Sequence, residues 1–114
     1  MADEGSVSKS DLLPGTLEML VLRTLTMGSL HGYGIAQHLE RSTQGVLQVE
    51  AGSLYPALER LLRKGWAKAR WTETPTGRRA RYYTITKSGR AHLEKKAADY
   101  ERVVRAITQV MSEA

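Results

Sequence analysis

Cysteine is absent from this chain of 114 residues, which excludes disulfides and thiolate metal ligation. Asparagine is absent as well, so there is no N-glycosylation acceptor. No apolar run approaches membrane-spanning length, and the polar N-terminus carries no signal-peptide pattern. The expectation is a cytoplasmic protein with no membrane contact. Histidine is sparse and scattered. His31 and His38 stand seven apart, but no Asp or Glu joins them at ligand spacing, and His92 is remote. Surface or capping roles suit these histidines better than a metal site. Ser53 has no companion His and acid that the sequence can place, and no phosphate-binding loop of the Walker type occurs. Neither an enzyme nor a cofactor is expected.

What is present is basic charge, unevenly distributed. The formal net charge is +5, but residues 60–90 hold ten of the seventeen Lys and Arg against the single acid Glu73. That segment carries +9 and the remainder −4. Such a concentrated patch points to a polyanion partner, although a solvated basic surface explains the charge count nearly as well.

Residues 1–11 are small and polar and read as a mobile tail. A domain is expected over 12–85. Thr16 is a candidate N-cap for a first helix to about Met27, with Leu17, Leu20, Val21 and Leu25 as its apolar stripe. Leu30 to Gly34 reads as a turn into a second helix from Ile35 to about Ser42. Gly45 breaks the chain, and Val46–Val49 reads as a short edge strand. In the next segment, Leu54, Leu58 and Leu61 form a buried stripe, while Ser53, Pro56, Glu59, Arg60 and Arg63 fall roughly opposite. Pro56 is tolerable only near a helix start, which places that start close to Ser53. Gly65 closes this third helix. Trp66 to Glu73 alternates as a half-buried strand, with Ala67, Ala69 and Trp71 on one side and Lys68 and Arg70 on the other. Thr74-Pro75-Thr76-Gly77 is turn chemistry, and Arg78 to Ile85 completes a hairpin.

Thr86 reads as the N-cap of a last helix spanning 86–114, with Gly89 weakening its first turn slightly. Leu93, Ala97, Tyr100, Val104, Ile107 and Met111 repeat at alternating spacings of four and three, a heptad seam widened by Val103 and Val110. A helix of roughly 40 Å exceeds what the small domain can cover. A second copy of the same helix is the simplest cover; folding back on its own domain is the alternative. A core of this size also gains from dimerisation. The fold class expected is mainly α with a small β-hairpin, a winged helix-turn-helix followed by a long C-terminal dimerisation helix. A helix with a small, polar N-terminal end followed by a basic wing is how such a domain meets duplex DNA.

Five runs then coincide with a known pattern. Leu13-Pro14-Gly15-Thr16-Leu17, His31-Gly32-Tyr33-Gly34-Ile35, Gly52-Ser53-Leu54-Tyr55-Pro56-Ala57-Leu58, Arg79-Ala80-Arg81-Tyr82-Tyr83 and Thr86-Lys87-Ser88-Gly89 occur in family order over about residues 12–90. On these residues the chain resembles the PadR family of bacterial transcriptional regulators, in its short form with one C-terminal helix. The resemblance implies a homodimeric winged helix-turn-helix repressor, often of genes for stress response, efflux or phenolic-compound metabolism. The C-terminal helix matches by type and heptad, not by motif.

The residues themselves suggest roles. Ser53 can donate to a base edge or a phosphate, and Pro56 offers apolar contact to a thymine methyl. Tyr55, at the border of the apolar face, can pack and reach a phosphate at once. Arg60 and Arg63 suit phosphates better than bases. At the wing tip, Arg78 and Arg79 flank Gly77 and suit a narrow minor groove, with Arg81, Lys68 and Arg70 as flank contacts or plain solubility. Tyr33 begins the helix that crosses the backbone; a core role is its alternative. Two subunits would meet half-sites of a near-palindromic operator about one turn apart. Trp66 and Trp71 read as core packing first, and second as a wall for an aromatic small-molecule effector. The competing function is a protein-interaction adaptor that uses the winged domain without specific DNA binding.

Overall fold

The computed structural model describes residues 15–113; the expected tail over 1–11 and the domain start at Leu12–Pro14 lie outside the described residues. Four helices and three strands follow one another as α1 (Thr16–Leu25), β1 (Leu30–His31), α2 (Gly32–Ser42), α3 (Ala51–Arg63), β2 (Ala67–Glu73), β3 (Arg79–Ile85) and α4 (Lys87–Met111). The mainly α winged helix-turn-helix with a long last helix is therefore the observed architecture. Among the described residues no helix is long and apolar enough to cross a membrane.

One apolar core joins all the layers. Val21, Leu22 and Leu25 of α1 meet Ile35 and Leu39 of α2 and Leu54, Leu58 and Leu61 of α3. Ala67, Tyr83 and Ile85 close it from the sheet, and Leu93 from α4. The sheet is antiparallel in the order β1-β3-β2. Its hairpin pairs Ala67 with Ile85, Ala69 with Tyr83 and Trp71 with Arg81. Period-two alternation then sends these residues to one face, toward α3, and Lys68, Arg70 and Thr72 to the other.

Several boundaries differ from expectation, each for a local reason. Thr16 is not a cap: Gly15, at φ 82°, is the N-cap residue and Thr16 is the buried first helical residue. The second helix starts three residues before Ile35, because the His31 Nδ1 accepts the Gly34 amide at 2.9 Å and caps it. Leu30–His31 pair with Tyr83 and Tyr82 as the third strand. The expected strand at Val46–Val49 is absent save for a single bridge at Leu47. Its side chains do alternate, Leu47 and Val49 half-buried and Gln48 exposed, but among the described residues no ladder forms beside them.

The third helix starts at Ala51, two residues before Ser53, which leaves Pro56 inside the second turn. It ends in a Schellman motif, with Gly65 at φ 75° and the Trp66 amide donating to the Leu61 carbonyl at 3.0 Å. Thr86 caps α4 as expected, its Oγ1 accepting the Gly89 amide at 3.0 Å. Gly89 does more than weaken a turn: a Cβ there would overlap the Trp66 carbonyl oxygen. Glycine is what lets α4 lie against the start of β2.

Candidate nucleic-acid interface

On a 3.6-residue wheel, Leu54, Ala57, Leu58 and Leu61 of α3 face the core. Gly52, Pro56, Glu59 and Arg63 lie opposite and are exposed. Ser53 and Arg60 fall on one flank, and Tyr55 on the other. The Arg60 Nε donates to the Glu18 Oε1 of α1 at 3.3 Å, so this arginine joins α3 to α1 at the edge of the outward face. Ser53 is half-buried on the same flank. Sequence spacing alone had put both on the open side.

The Tyr55 flank turns toward the wing, and there a groove forms between α3, the start of α2 and the hairpin. It is lined by Tyr33, Tyr55, Arg78, Arg79 and Arg81 together with Trp71. Tyr33 is 67% and Tyr55 46% exposed, which removes the core alternative for Tyr33. Tyr33 is steadied by Gln37, whose Nε2 donates to its hydroxyl at 3.0 Å. Tyr55 leans over Gly32, where an added Cβ would come within 2.6 Å of the phenol oxygen. Gly32 thus serves the placement of Tyr55, a role its sequence neighbours do not reveal. Tyr83 lies beneath; burial pushes its phenol above the usual range, and the Arg81 guanidinium counteracts this.

The wing tip follows the turn signal. Gly77 takes φ 84°, and its amide donates to the Thr74 carbonyl at 2.9 Å. This leaves Arg78 and Arg79 exposed at the start of β3. Arg81 is engaged: its Nη1 donates to the Glu59 Oε1 of α3 at 3.1 Å. Glu59, the acid on the outward face of α3, is therefore matched by a wing arginine, an ion pair across 22 residues that sequence periodicity does not show.

The tryptophans separate. Trp66 is half-buried and stacks on His92 of α4, ring centroids 3.4 Å apart. Trp71 corrects the packing expectation: it is 57% exposed on the groove face of the wing, with the Arg79 guanidinium 5.5 Å from its ring centroid. Five strand residues, about 17 Å, separate the two, so they do not form a common wall.

On α4 the expected seam divides. Leu93 is buried in the domain core and Ala97 is half-buried. Tyr100, Val104, Ile107 and Met111 are exposed, as are Val103 and Val110 beside them.

Comparison with known proteins bears on the family and the fold. The model of the transcriptional regulator PadR-like family matches residues 21–95. An uncharacterised protein of Lysinibacillus sphaericus is 28% identical over 103 residues, covering 90% of this chain and 94% of its own. A transcriptional regulator from Clostridium thermocellum has a similar structure, with a TM-score of 0.77, 26% identity, and coverage of 83% of this chain and 92% of that one. A PadR family regulator from Eggerthella lenta superposes with a TM-score of 0.75 at 26% identity, over 88% of this chain and 85% of the other. The chain belongs to the PadR-like family of transcriptional regulators, which are DNA-binding proteins and not enzymes.

Proposed function

We propose that the protein is a homodimeric repressor that binds a near-palindromic operator in the cytoplasm. The observation that carries this reading is the groove that brings Tyr33, Tyr55, Arg78 and Arg79 together beside the exposed outward face of α3. Gly52 and Pro56 leave the N-terminal half of that face shallow, which allows close approach to a major groove. Ser53 stands at its edge for a base or phosphate, and Arg63 lies further along for the backbone. Arg78 and Arg79 reach an adjacent minor groove from the tip turned by Gly77. Arg60 and Arg81, each tied to a carboxylate, shape the surface more than they add charge to it. The distal apolar stripe of α4 pairs with its copy and sets the two reading helices about one helical turn apart. An aromatic effector seated between the winged domain and α4 would be reported by Trp66, the tryptophan that touches α4.

The test is a gel shift on the duplex upstream of the chain's own coding sequence, with Ser53→Ala, Tyr55→Ala and Arg79→Ala variants. Each variant should bind more weakly than the parent. With about six to ten phosphate contacts per dimer, affinity should fall roughly 10³- to 10⁵-fold between about 50 and 200 mM salt. Equal, weak and salt-independent binding by all four proteins would instead favour the adaptor reading.

A further inference from the structure

Large apolar side chains on a hairpin are usually turned to the core, yet Trp71 is 57% exposed, and it faces the groove. The strand register explains what it does there. Arg79 lies directly opposite Glu73 and diagonal to Trp71. A cross-strand Arg–Glu pair on the same face would ordinarily form an ion pair. Among the described residues no Arg79–Glu73 ion pair occurs; the guanidinium lies 5.5 Å from the indole centroid instead. The two partners differ in consequence. A carboxylate fixes an arginine and cancels its charge, as Glu59 does for Arg81. An indole face fixes the guanidinium and leaves the charge whole. A long side chain already held in place loses less conformational freedom when it meets its ligand.

We infer that Trp71 is a positioning residue for DNA binding: it holds Arg79 oriented and fully charged on the wing. This rests on the wing contact proposed above and assigns Trp71 no contact of its own with the duplex. The test is a double-mutant cycle read by fluorescence anisotropy on a labelled alternating A/T duplex at low salt, with the parent, Trp71→Ala, Arg79→Ala and the double variant. Trp71→Ala should weaken binding about fivefold when Arg79 is present and leave it unchanged when Arg79 is already alanine. Trp71→Phe, which keeps a ring, should restore most of the loss. The slope of log affinity against log salt should fall by about one for Arg79→Ala and stay at the parent value for Trp71→Ala, whose charges are intact. If the two losses add, Trp71 touches the duplex itself and the positioning role is overturned. Unchanged binding by Trp71→Ala overturns it equally. If the parent binds no duplex at low salt, the repressor reading falls and this inference with it; an additive cycle with a binding parent removes this inference alone.

Discussion

Gly89 inverts the ordinary helix ranking. Alanine exceeds glycine in a helix interior by about 1 kcal/mol, yet here the missing Cβ makes room for the Trp66 carbonyl oxygen. Gly89→Ala should therefore destabilise the protein by about 2 kcal/mol net, measured by urea unfolding, because overpacking outweighs the gain in propensity. The neighbouring His92 gives a pH signature. Burial first, and then the Lys96 charge, with smaller effects from Lys95 and Lys64, hold its imidazole below the usual value of 6.5; Glu18 opposes them. The unfolded chain thus takes up this proton more readily than the folded one. Stability should decline as pH falls through about 6.5 and level off once the folded-state pKa has been passed. Melting curves between pH 7.5 and 5 should show this slope, and His92→Phe should flatten it. Neither property could be read from the sequence. Gly89 looked like a mild helix weakener because its reason lies 23 residues away in Trp66. The engagement of Arg60 by Glu18 was hidden in the same way, by contacts that only the fold creates.

At the scale of elements, long periodic segments were legible and short ones were not. The stripes of α1 and α3 bury what their spacing says, since 3.6-residue periodicity over several turns has few other solutions, whereas on α4 only Leu93 of the seam is buried. The two-residue β1 carries too little pattern to be read, and Val46–Val49 had the right alternation but forms no more than the single bridge at Leu47 among the described residues. Trp71 misled for a related reason: alternation assigned its face correctly but not its burial, because that face passes from Ala67 and Ala69 near the core to open groove at the tip. The groove residues Tyr33, Tyr55, Arg78 and Arg79 were found from the starts of α2 and α3 and from the wing's basic turn, while the contacts Glu59 makes with Arg81, Gln37 with Tyr33 and Trp71 with Arg79 were missed. Helix ends give a direct test. Gln44, after α2, sits in the left-handed region at φ 50°, where its amide donates to the Arg41 carbonyl at 3.2 Å and the Gly45 amide to that of Glu40 at 2.8 Å. This is a Schellman ending with glutamine at the position that glycine favours. Gln44→Gly should raise stability by about 0.5–1 kcal/mol, seen as a higher urea midpoint at unchanged m.

For the whole molecule, α4 is the element that serves two purposes. Its first turns belong to the domain through Leu93, and its distal turns present Val103, Val104, Ile107 and Val110 to solvent. Ile107→Glu should leave the winged domain folded, because this residue contributes nothing to the core cluster. In the proposed dimer it should separate the subunits, giving a monomer by sedimentation equilibrium and a loss of operator affinity far larger than any single wing substitution produces. A buried, unpaired carboxylate on a pairing seam is poorly tolerated. The capped, glycine-tight joint at Trp66 also fixes how rotation travels. Having no slack at its root, a rod of about 37 Å behaves as a lever, and in the proposed dimer a tilt of a few degrees at the subunit seam would become a shift of about 2 Å at the far end. The distance between the two reading helices would then be tuned by the angle at which the levers cross, so a ligand could release DNA without touching a single DNA-facing side chain.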